Sequence, residues 1–546
     1  MKPIGPAGVF AGGADLGAPA EAAPARNRVR FLALTVFAAL LLLAGRAVQL
    51  AFSGDPQAAP RAAATAAPLP RADIVDRNGV LLATTVRAYA LTAEPDRVWG
   101  PEEIADALRG VFPDLDRAAT IRRLTDTARQ LVYLRRGLTP EERDSVHALG
   151  LAGIGFEQEH HRDYPQGDYA AHVLGFTDVD LNPLSGVEWG MDAQIRAAGA
   201  RGEPVRLSID MRVQYALEIE LDAAARAAGA SGGAGILLDA RTGEVLALAS
   251  WPRFNPNHAG QASADARRDR VAGDVHELGS TIKPFTVAMS LQERLTTPSE
   301  LFTLTPFEVG GDLIEDHEPS TGYVTLRDIV ARSSNIGAAQ LAIRLGGQRQ
   351  RRYLERLGLT APAALQLSRN EAPLAPRLQS PRDIAGLGFG YGLAATPASL
   401  AGAYTVFANN GARVAPTLIL RAADAQIERV PVFSPDVTRQ TLAYMRAVVT
   451  QGTGRAADVP GLDVAGKTGT AEKLGNDDAT YEQSRNFSSF AGVFPAADPR
   501  YVIVLALDDT GEGAAGGMVA APAVARTLRR IAPMLGLRVE PRAPAR

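Results

Sequence analysis

Three short motifs in the 546-residue sequence place hydroxyls and amines at spacings suited to acyl transfer. The first is Gly279-Ser280-Thr281-Ile282-Lys283-Pro284. Proline is tolerated in a first helical turn, so this stretch predicts a helix starting close to Ser280. Positions i and i+3 share one face, which brings the Lys283 amine to the Ser280 hydroxyl. A neutral amine there can take the hydroxyl proton and activate the oxygen for attack on an acyl carbon. Free backbone N–H groups at a helix start also favour a developing oxyanion. The second motif, Ser333-Ser334-Asn335, lies between two helical patterns. Ser333 can relay a proton to a leaving amine, and Asn335 can position both a lysine and a substrate amide. The third, Lys467-Thr468-Gly469-Thr470, follows apolar Val464-Ala465 and reads as a strand edge. Gly469 permits close backbone approach, Thr470 can offer its N–H to an oxyanion, and the cation suits a substrate carboxylate. Each motif alone fits an ordinary helix start or turn, so the weight lies on their joint presence.

Composition singles out the same lysines. Of 57 Lys and Arg residues only Lys2, Lys283, Lys467 and Lys473 are lysine. Arginine stays charged in proteins, whereas lysine can lose its proton and act as a base. A lysine kept in an arginine-rich chain can mark a position where Arg cannot substitute, which points first to Lys283 and Lys467, while Lys2 and Lys473 are expected to tolerate Arg. The net charge of −3 excludes a strongly basic nucleic-acid binder. With 46% apolar and 21% charged residues, a disordered chain is excluded too. There is no cysteine, which removes disulfides, Cys-liganded zinc, iron–sulfur clusters and thiol nucleophiles. The seven histidines form no H-E-x-x-H or paired ligand spacing, so no metal is expected.

The elements that must hold these motifs follow from patterning. Residues 1–28 are rich in Ala, Gly and Pro and read as a cytoplasmic tail. Arg26, Arg28 and Arg30 border an apolar run over 29–52, long enough for one tilted membrane span with Arg46 snorkelling to the outer interface. The flanking arginines place the N-terminus in the cytoplasm and all that follows the span outside it. The competing reading is a cleaved signal peptide ending near Ala51-Phe52-Ser53. Residues 53–70 form an Ala/Pro linker. Around Asn78-Gly79, residues 72–82 predict a β-hairpin, and 118–131 a charged helix. From about residue 205 the pattern changes. Strands are expected at 235–239, 244–249, 488–494 and 501–507, and helices at 281–291, 397–409, 438–450 and 521–535. Strands at both ends with helices between predict an α+β or α/β catalytic layer.

In chain order, Ser-x-x-Lys, Ser-x-Asn and Lys-Thr-Gly form the motif set of serine β-lactamases and penicillin-binding proteins. The chain resembles class B penicillin-binding proteins of the division-specific FtsI-like type. The similarity extends to residues 71–79, 162–165, 171–177 and 186–188, to Asp269-Arg270, and to 389–392, 452–454 and 516–522. The resemblance implies an α+β fold in three parts: a single N-terminal transmembrane helix, an elongated mixed pedestal (dimerisation-type) domain at 71–205, and a transpeptidase domain at 206–540. The last is an antiparallel sheet flanked by helices plus an all-helical lobe; residues 541–546 form a tail.

It further implies a D,D-transpeptidase that crosslinks peptidoglycan stem peptides and is acylated by β-lactams at Ser280. Lys283 would be the general base, Ser333 the proton relay, and Asn335 the group positioning Lys283 and the donor. Lys467 and Thr468 would hold the terminal carboxylate, and the N–H groups of Ser280 and Thr470 would form the oxyanion hole beside Gly469. No metal or organic cofactor is implied. The implied partners are a SEDS-family glycosyltransferase and other divisome proteins, and the implied place is the inner membrane, single-pass, with the catalytic part periplasmic.

The chain departs from the family at Leu278, where proline is usual, and at 181–185, where relatives are often Gly-rich. Residues 311–322 are variable in the class and carry no assignment. A β-lactamase is disfavoured by length and by the lack of a Glu-x-x-Leu-Asn element after Asn335. A bifunctional enzyme is disfavoured by the short N-terminal part. The remaining alternatives are an elongation-specific class B transpeptidase and, from another class of function, a non-catalytic divisome scaffold or β-lactam sensor. His172 and His276 are expected to be structural, and Glu188 and Asp274 to form internal salt bridges.

Overall fold

The computed structural model describes residues 34–44, 71–318, 322–474, 481–510 and 515–539, with the backbone alone at 472–474 and 481–485. The described residues from 71 onward form one compact unit, and those before it another. In the first unit, residues 34–44 are helical and exposed along their whole length. The rest of the expected span at 29–52, the tails at 1–28 and 541–546 and the linker at 53–70 lie outside the described residues. Among the described residues no helix is long and apolar enough to cross a membrane.

The larger unit is organised by an antiparallel sheet of β1 (Gly232–Asp239), β2 (Val245–Trp251), β3 (Ala465–Leu474), β4 (Tyr481–Phe494) and β5 (Tyr501–Asp508). Its spatial order is β3-β4-β5-β1-β2, and every pairing is antiparallel. The catalytic layer is therefore α+β. The main helices are α1 (Met211–Ala228), α2 (Lys283–Gln292), α3 (Leu326–Arg332), α4 (Asn335–Leu357), α5 (Pro397–Ala408), α6 (Pro435–Thr450) and α7 (Ala520–Ile531). Successive side chains of a strand point to opposite faces. Ile503 and Leu505 accordingly enter a core with α1 and α7, while Val502 and Val504 enter a second core with α5. Burial on both faces explains why these strands read as continuous apolar runs.

Short caps set the helix limits. Ser434 caps α6 and Thr396 caps α5, each followed by proline in the first turn. Helices α3, α4 and α6 make a lobe with its own core. This lobe is not all-helical: two-stranded ribbons join Phe302–Thr303 to Tyr323–Val324 and Phe307–Val309 to Asp312–Ile314. The ribbon strands are two or three residues long, too short for alternation to reveal them in the sequence.

Upstream of residue 207, a second sheet is built around the long strand Leu81–Ala93. It pairs antiparallel with Ile74–Val75, Val132–Leu138 and Ile154–Asp163, and Val205–Arg206 joins parallel to Ile74–Val75. The hairpin expected at 72–82 forms, with its second strand continuing far past the turn. The helix expected at 118–131 ends at Leu124. The Thr125 hydroxyl turns back to the Ile121 carbonyl and breaks the helix, and Arg123 donates to the carbonyls of Tyr133 and Leu134 on the next strand.

No packing break separates the two sheets. One continuous core holds Ile74, Leu82 and Val187 together with Ile236, Leu238 and Val504. Beside it lies a buried ion cluster. Glu188 is fully buried and accepts from Arg71 Nε at 2.9 Å and Nη2 at 2.5 Å, and from Arg162 Nε at 2.7 Å. Arg71 also pairs with Asp192. The cluster ties together three segments 26 to 117 residues apart in the chain. Asp274 likewise bonds Arg268 at 2.6 Å and Arg270 at 3.4 Å.

A buried ion pair broken on one side leaves an uncompensated charge, at a cost of about 3–5 kcal/mol. Glu188→Ala leaves two buried guanidinium groups facing each other. It is expected to lower the first unfolding transition by that order, read by thermal or urea denaturation.

Candidate active site

Ser280 sits on a 3-10 turn, Gly279–Ile282, that runs directly into α2. The helix start expected near Ser280 is present, with Pro284 in its first turn. The turn is held from several sides. The Tyr404 hydroxyl donates to the Thr281 carbonyl at 2.7 Å, and the Tyr404 ring packs edge-on against Phe285. Leu278 N–H donates to the Leu393 carbonyl at 3.0 Å. The proline that the family resemblance leads one to expect at 278 would lose this bond, so Leu278 adds a tether there. Gly279 has φ +50°, and a Cβ there would come within 2.8 Å of the Thr470 carbonyl oxygen. The turn and strand β3 thus meet backbone to backbone, and only glycine fits.

Lys283 is wholly buried, and its amine makes four contacts. They run to Ser280 Oγ at 2.9 Å, Ser333 Oγ at 3.1 Å, the Ser333 carbonyl at 2.5 Å and Asn335 Oδ1 at 2.7 Å. Ser333 Oγ also bonds Ser280 Oγ at 2.9 Å. Both hydroxyls and the amine therefore form a closed triangle. Ser333 ends α3 in the left-handed region at φ +64°, an uncommon conformation for a residue with a Cβ. That conformation turns its carbonyl and its hydroxyl toward Lys283 together. Strain of this kind persists only where surrounding contacts enforce it.

Lys467 is also wholly buried, on edge strand β3. Its amine donates to the Thr468 carbonyl at 3.0 Å and to Thr468 Oγ1 at 3.2 Å. Thr468 Oγ1 bonds Thr453 Oγ1 at 2.7 Å, and Thr470 Oγ1 accepts from Gly516 N–H at 3.1 Å. A Cβ on Gly469 would come within 2.8 Å of Thr281 Cγ2, so β3 lies directly against the serine turn. Thr470, in the middle of β3, is exposed. Thr453 and Gly516 thus brace the Lys-Thr-Gly strand through the hydroxyls of Thr468 and Thr470.

The electrostatics separate the two lysines. Burial, then the neighbouring Lys467, hold the Lys283 amine well below its usual range, and Asp316 pulls the other way. Burial alone lowers Lys467 to about 7. The shift makes Lys283 readier to give up its proton and act as a base, while Lys467, at about 7, is still partly charged near neutral pH and can meet a bound carboxylate. This is the arrangement needed to deprotonate a serine and hold an anionic substrate beside it.

The structure brings Ser280, Ser333 and Asn335 around the Lys283 amine and sets the Lys467–Thr470 strand against the turn that carries Ser280. Asp316 and Thr453 went unassigned in the sequence reading. Asp316 lies 19 residues before Asn335 and bonds its backbone N–H at 2.5 Å, a contact with no local sequence signal. The histidines play no part in this geometry. His172 is buried against Phe254 with its Nε2 2.8 Å from the Ala266 carbonyl, and burial lowers it to about 4. His276 stacks on Phe487 at 4.0 Å.

The family model for the penicillin binding protein transpeptidase domain matches residues 233–529, and that for the penicillin-binding protein dimerisation domain matches 66–183. The chain is similar to the probable peptidoglycan D,D-transpeptidase FtsI of Caulobacter vibrioides. Identity is 40% over 483 residues, covering 86% of this chain and 82% of that one. It is 31% identical to the peptidoglycan D,D-transpeptidase FtsI of Escherichia coli K12, over 83% of this chain and 81% of the other. The crystal structure of penicillin binding protein 3 from Mycobacterium tuberculosis, complexed with aztreonam, superposes with a TM-score of 0.68 at 26% identity. That match covers 87% of this chain and 98% of the other.

The lowered Lys467 pKa has a stability consequence. Its folded value, about 7, lies below its unfolded value, so folding releases a proton between pH 7 and the ordinary lysine range. The contribution of this residue to stability therefore rises with pH across that window and is at its least at and below neutral. Lys467→Met removes the cost of burying the amine. It is expected to raise the melting temperature by roughly 2–5 °C at pH 7. The gain should shrink toward pH 10, as read by parallel melts at both pH values.

Proposed function

The chain belongs to the penicillin-binding transpeptidase family, and from that premise we propose that it is a peptidoglycan D,D-transpeptidase of the division septum, acting through an acyl-enzyme on Ser280. The observation that carries the reading is the triangle in which Ser280 Oγ lies 2.9 Å from both the Lys283 amine and Ser333 Oγ.

Lys283 takes the Ser280 proton as Oγ attacks the carbonyl of the penultimate D-Ala in a donor stem peptide. The negative charge that develops on the carbonyl oxygen is met by the N–H groups of Ser280 and Thr470. Lys283 returns the proton through Ser333 to the leaving amine, and the terminal D-Ala departs. An amine from a neighbouring stem then attacks the acyl-enzyme. Its proton passes to Ser280 Oγ by the reverse route, and the crosslink is released. Asn335 holds the Lys283 amine through Oδ1, and Lys467 with Thr468 binds the donor carboxylate. A β-lactam enters the same path and stops at the acyl stage. The site uses no metal or organic cofactor.

The apolar, fully exposed helix at 34–44 supports a single inner-membrane anchor with the N-terminus cytoplasmic and the catalytic part periplasmic. The domain division follows as pedestal at 71–205 and transpeptidase at 206–540. A membrane-embedded SEDS-family glycosyltransferase and other divisome proteins are its partners in this reading.

A fluorescent penicillin should label the wild-type protein covalently and leave Ser280→Ala unlabelled. Equal labelling of the two would sink the proposal. Lys283→Arg should abolish labelling, because a guanidinium cannot serve as base. Lys467→Arg should slow it roughly 10-fold or more while leaving it detectable, since a cation still faces the carboxylate. Depletion in cells should give filaments; rounded cells would assign the chain to elongation instead.

A further inference from the structure

The hairpin formed by Phe307–Val309 and Asp312–Ile314 ends on the two residues Glu315 and Asp316, which face the start of α4. Asp316 Oδ1 accepts from the backbone N–H of Asn335 at 2.5 Å and of Ile336 at 3.0 Å, and Oδ2 accepts from Ser334 Oγ at 2.7 Å. Ser334 is itself the N-cap of α4, bonding Gly337 N–H at 3.0 Å. The Glu315 carbonyl accepts from Asn335 Nδ2 at 3.1 Å. That contact fixes the amide so that Oδ1 points at Lys283. One short hairpin end therefore caps a 23-residue helix from outside and orients the side chain that holds the catalytic amine.

We propose that Asp316 is a positioning residue for acyl transfer: by capping α4 it locks Ser333 and Asn335 around Lys283, and its carboxylate offsets the field of Lys467 at that amine. The inference rests on Ser280 and Lys283 as the reacting pair. Among the described residues, the charged groups acting on Lys283 are Lys467 on β3 and Asp316 on the hairpin; Ser280, Ser333 and Asn335, which touch it, are uncharged. The two charges push in opposite directions. Lys467 favours the neutral amine, which can take a proton. Asp316 favours the charged one, and so keeps the amine basic enough to hold the proton it takes. The carboxylate also sits where an anion is favoured, at a helix N-terminus.

The four lysines make Lys283 observable in the full-length protein. Lysine labelled with ¹³C at Cε gives few resonances, and the loss of one in Lys283→Met assigns it. In Asp316→Asn, which keeps the Oδ1 acceptor for the two backbone N–H groups, puts an NH2 donor in place of Oδ2 and removes the charge, the Lys283 titration is expected to move about one pH unit down. The acid limb of the penicillin acylation rate should move with it. Asp316→Ala, which also removes the cap, should slow acylation roughly 10- to 100-fold at pH 7.5. Asp316→Glu should recover part of that loss. If Asp316→Asn leaves both the titration and the acid limb in place, or Asp316→Ala acylates at the wild-type rate, the inference is overturned. Should Asp316→Ala fail to fold, the Asp316→Asn titration still decides the matter. If the Lys283 titration moves as expected but the wild type is not acylated, the transpeptidase reading fails and the Asp316 coupling stands.

Discussion

Two lysine amines are buried side by side in one serine-lined cleft, and neither meets a carboxylate in ion-pair contact among the described residues. Burying an ionised amine without a counter-ion is costly enough that the group sheds its proton instead. The fold has to keep water away from both amines and supply neutral hydrogen-bond partners in its place. Ser280, Ser333 and Asn335 do this for Lys283, and Thr468 does it for Lys467. Sealing the cleft requires the serine turn and strand β3 to touch through their backbones, which fixes glycine at 279 and 469. It also requires β3 to be an edge strand, so that one side of the Lys-Thr-Gly segment faces the helices and not another strand.

The same requirement accounts for the bulk of the architecture. A sheet buried on both faces is rigid enough to hold an edge strand in register against a helix start. The helix start is fixed in turn by the Tyr404 hydroxyl below it and the Leu278 tether before it. Ser333 closes the cleft from the lobe side, in a backbone conformation that its neighbours impose. Lys283 then stands where three separately folded pieces meet: the α2 turn, the α3–α4 link and the β3 edge. A small shift of any piece breaks one of the contacts that keep its amine neutral and aimed.

What was legible in the sequence is what depends on local spacing. Ser280 and Lys283 are three apart on a helix start, Asn335 follows Ser333 at a helix junction, and Lys467 leads a strand; each can be read within a few residues. The apolar runs of β4 and β5 and the proline-led starts of α5 and α6 are legible for the same reason. Asp316 was not legible, because the ribbon strand Tyr323–Val324 and α3 separate it in the chain from its partners, and nothing nearby marks an aspartate as the cap of a helix 19 residues on. Thr453 meets Thr468 across a similar gap. Residues 118–131 misled because charge spacing resembles a helix. The backward hydroxyl bond of Thr125 and the pairing of Val132–Leu138 decided otherwise, and both are matters of tertiary context. Arg71, Arg162 and Glu188 stood out individually; that they form one buried cluster is a fact of three dimensions.

That cluster and the catalytic cleft solve one problem in opposite ways. Around Glu188 the buried cations are arginines, which cannot be neutralised and so must be paired; Arg71 and Arg162 each reach the carboxylate within hydrogen-bond distance. In the cleft the buried cations are lysines without such a pair among the described residues, and burial pushes both toward the neutral form. A guanidinium in place of Lys283 would demand a carboxylate beside Ser280, and that negative charge would compete with the substrate's own for the binding site. An ammonium in the junction could give up its charge and leave Glu188 unpaired. The chain has 53 arginines and four lysines, yet both amines buried in this cleft are lysine, and for Lys283 the proposed chemistry requires a cation that can stop being one.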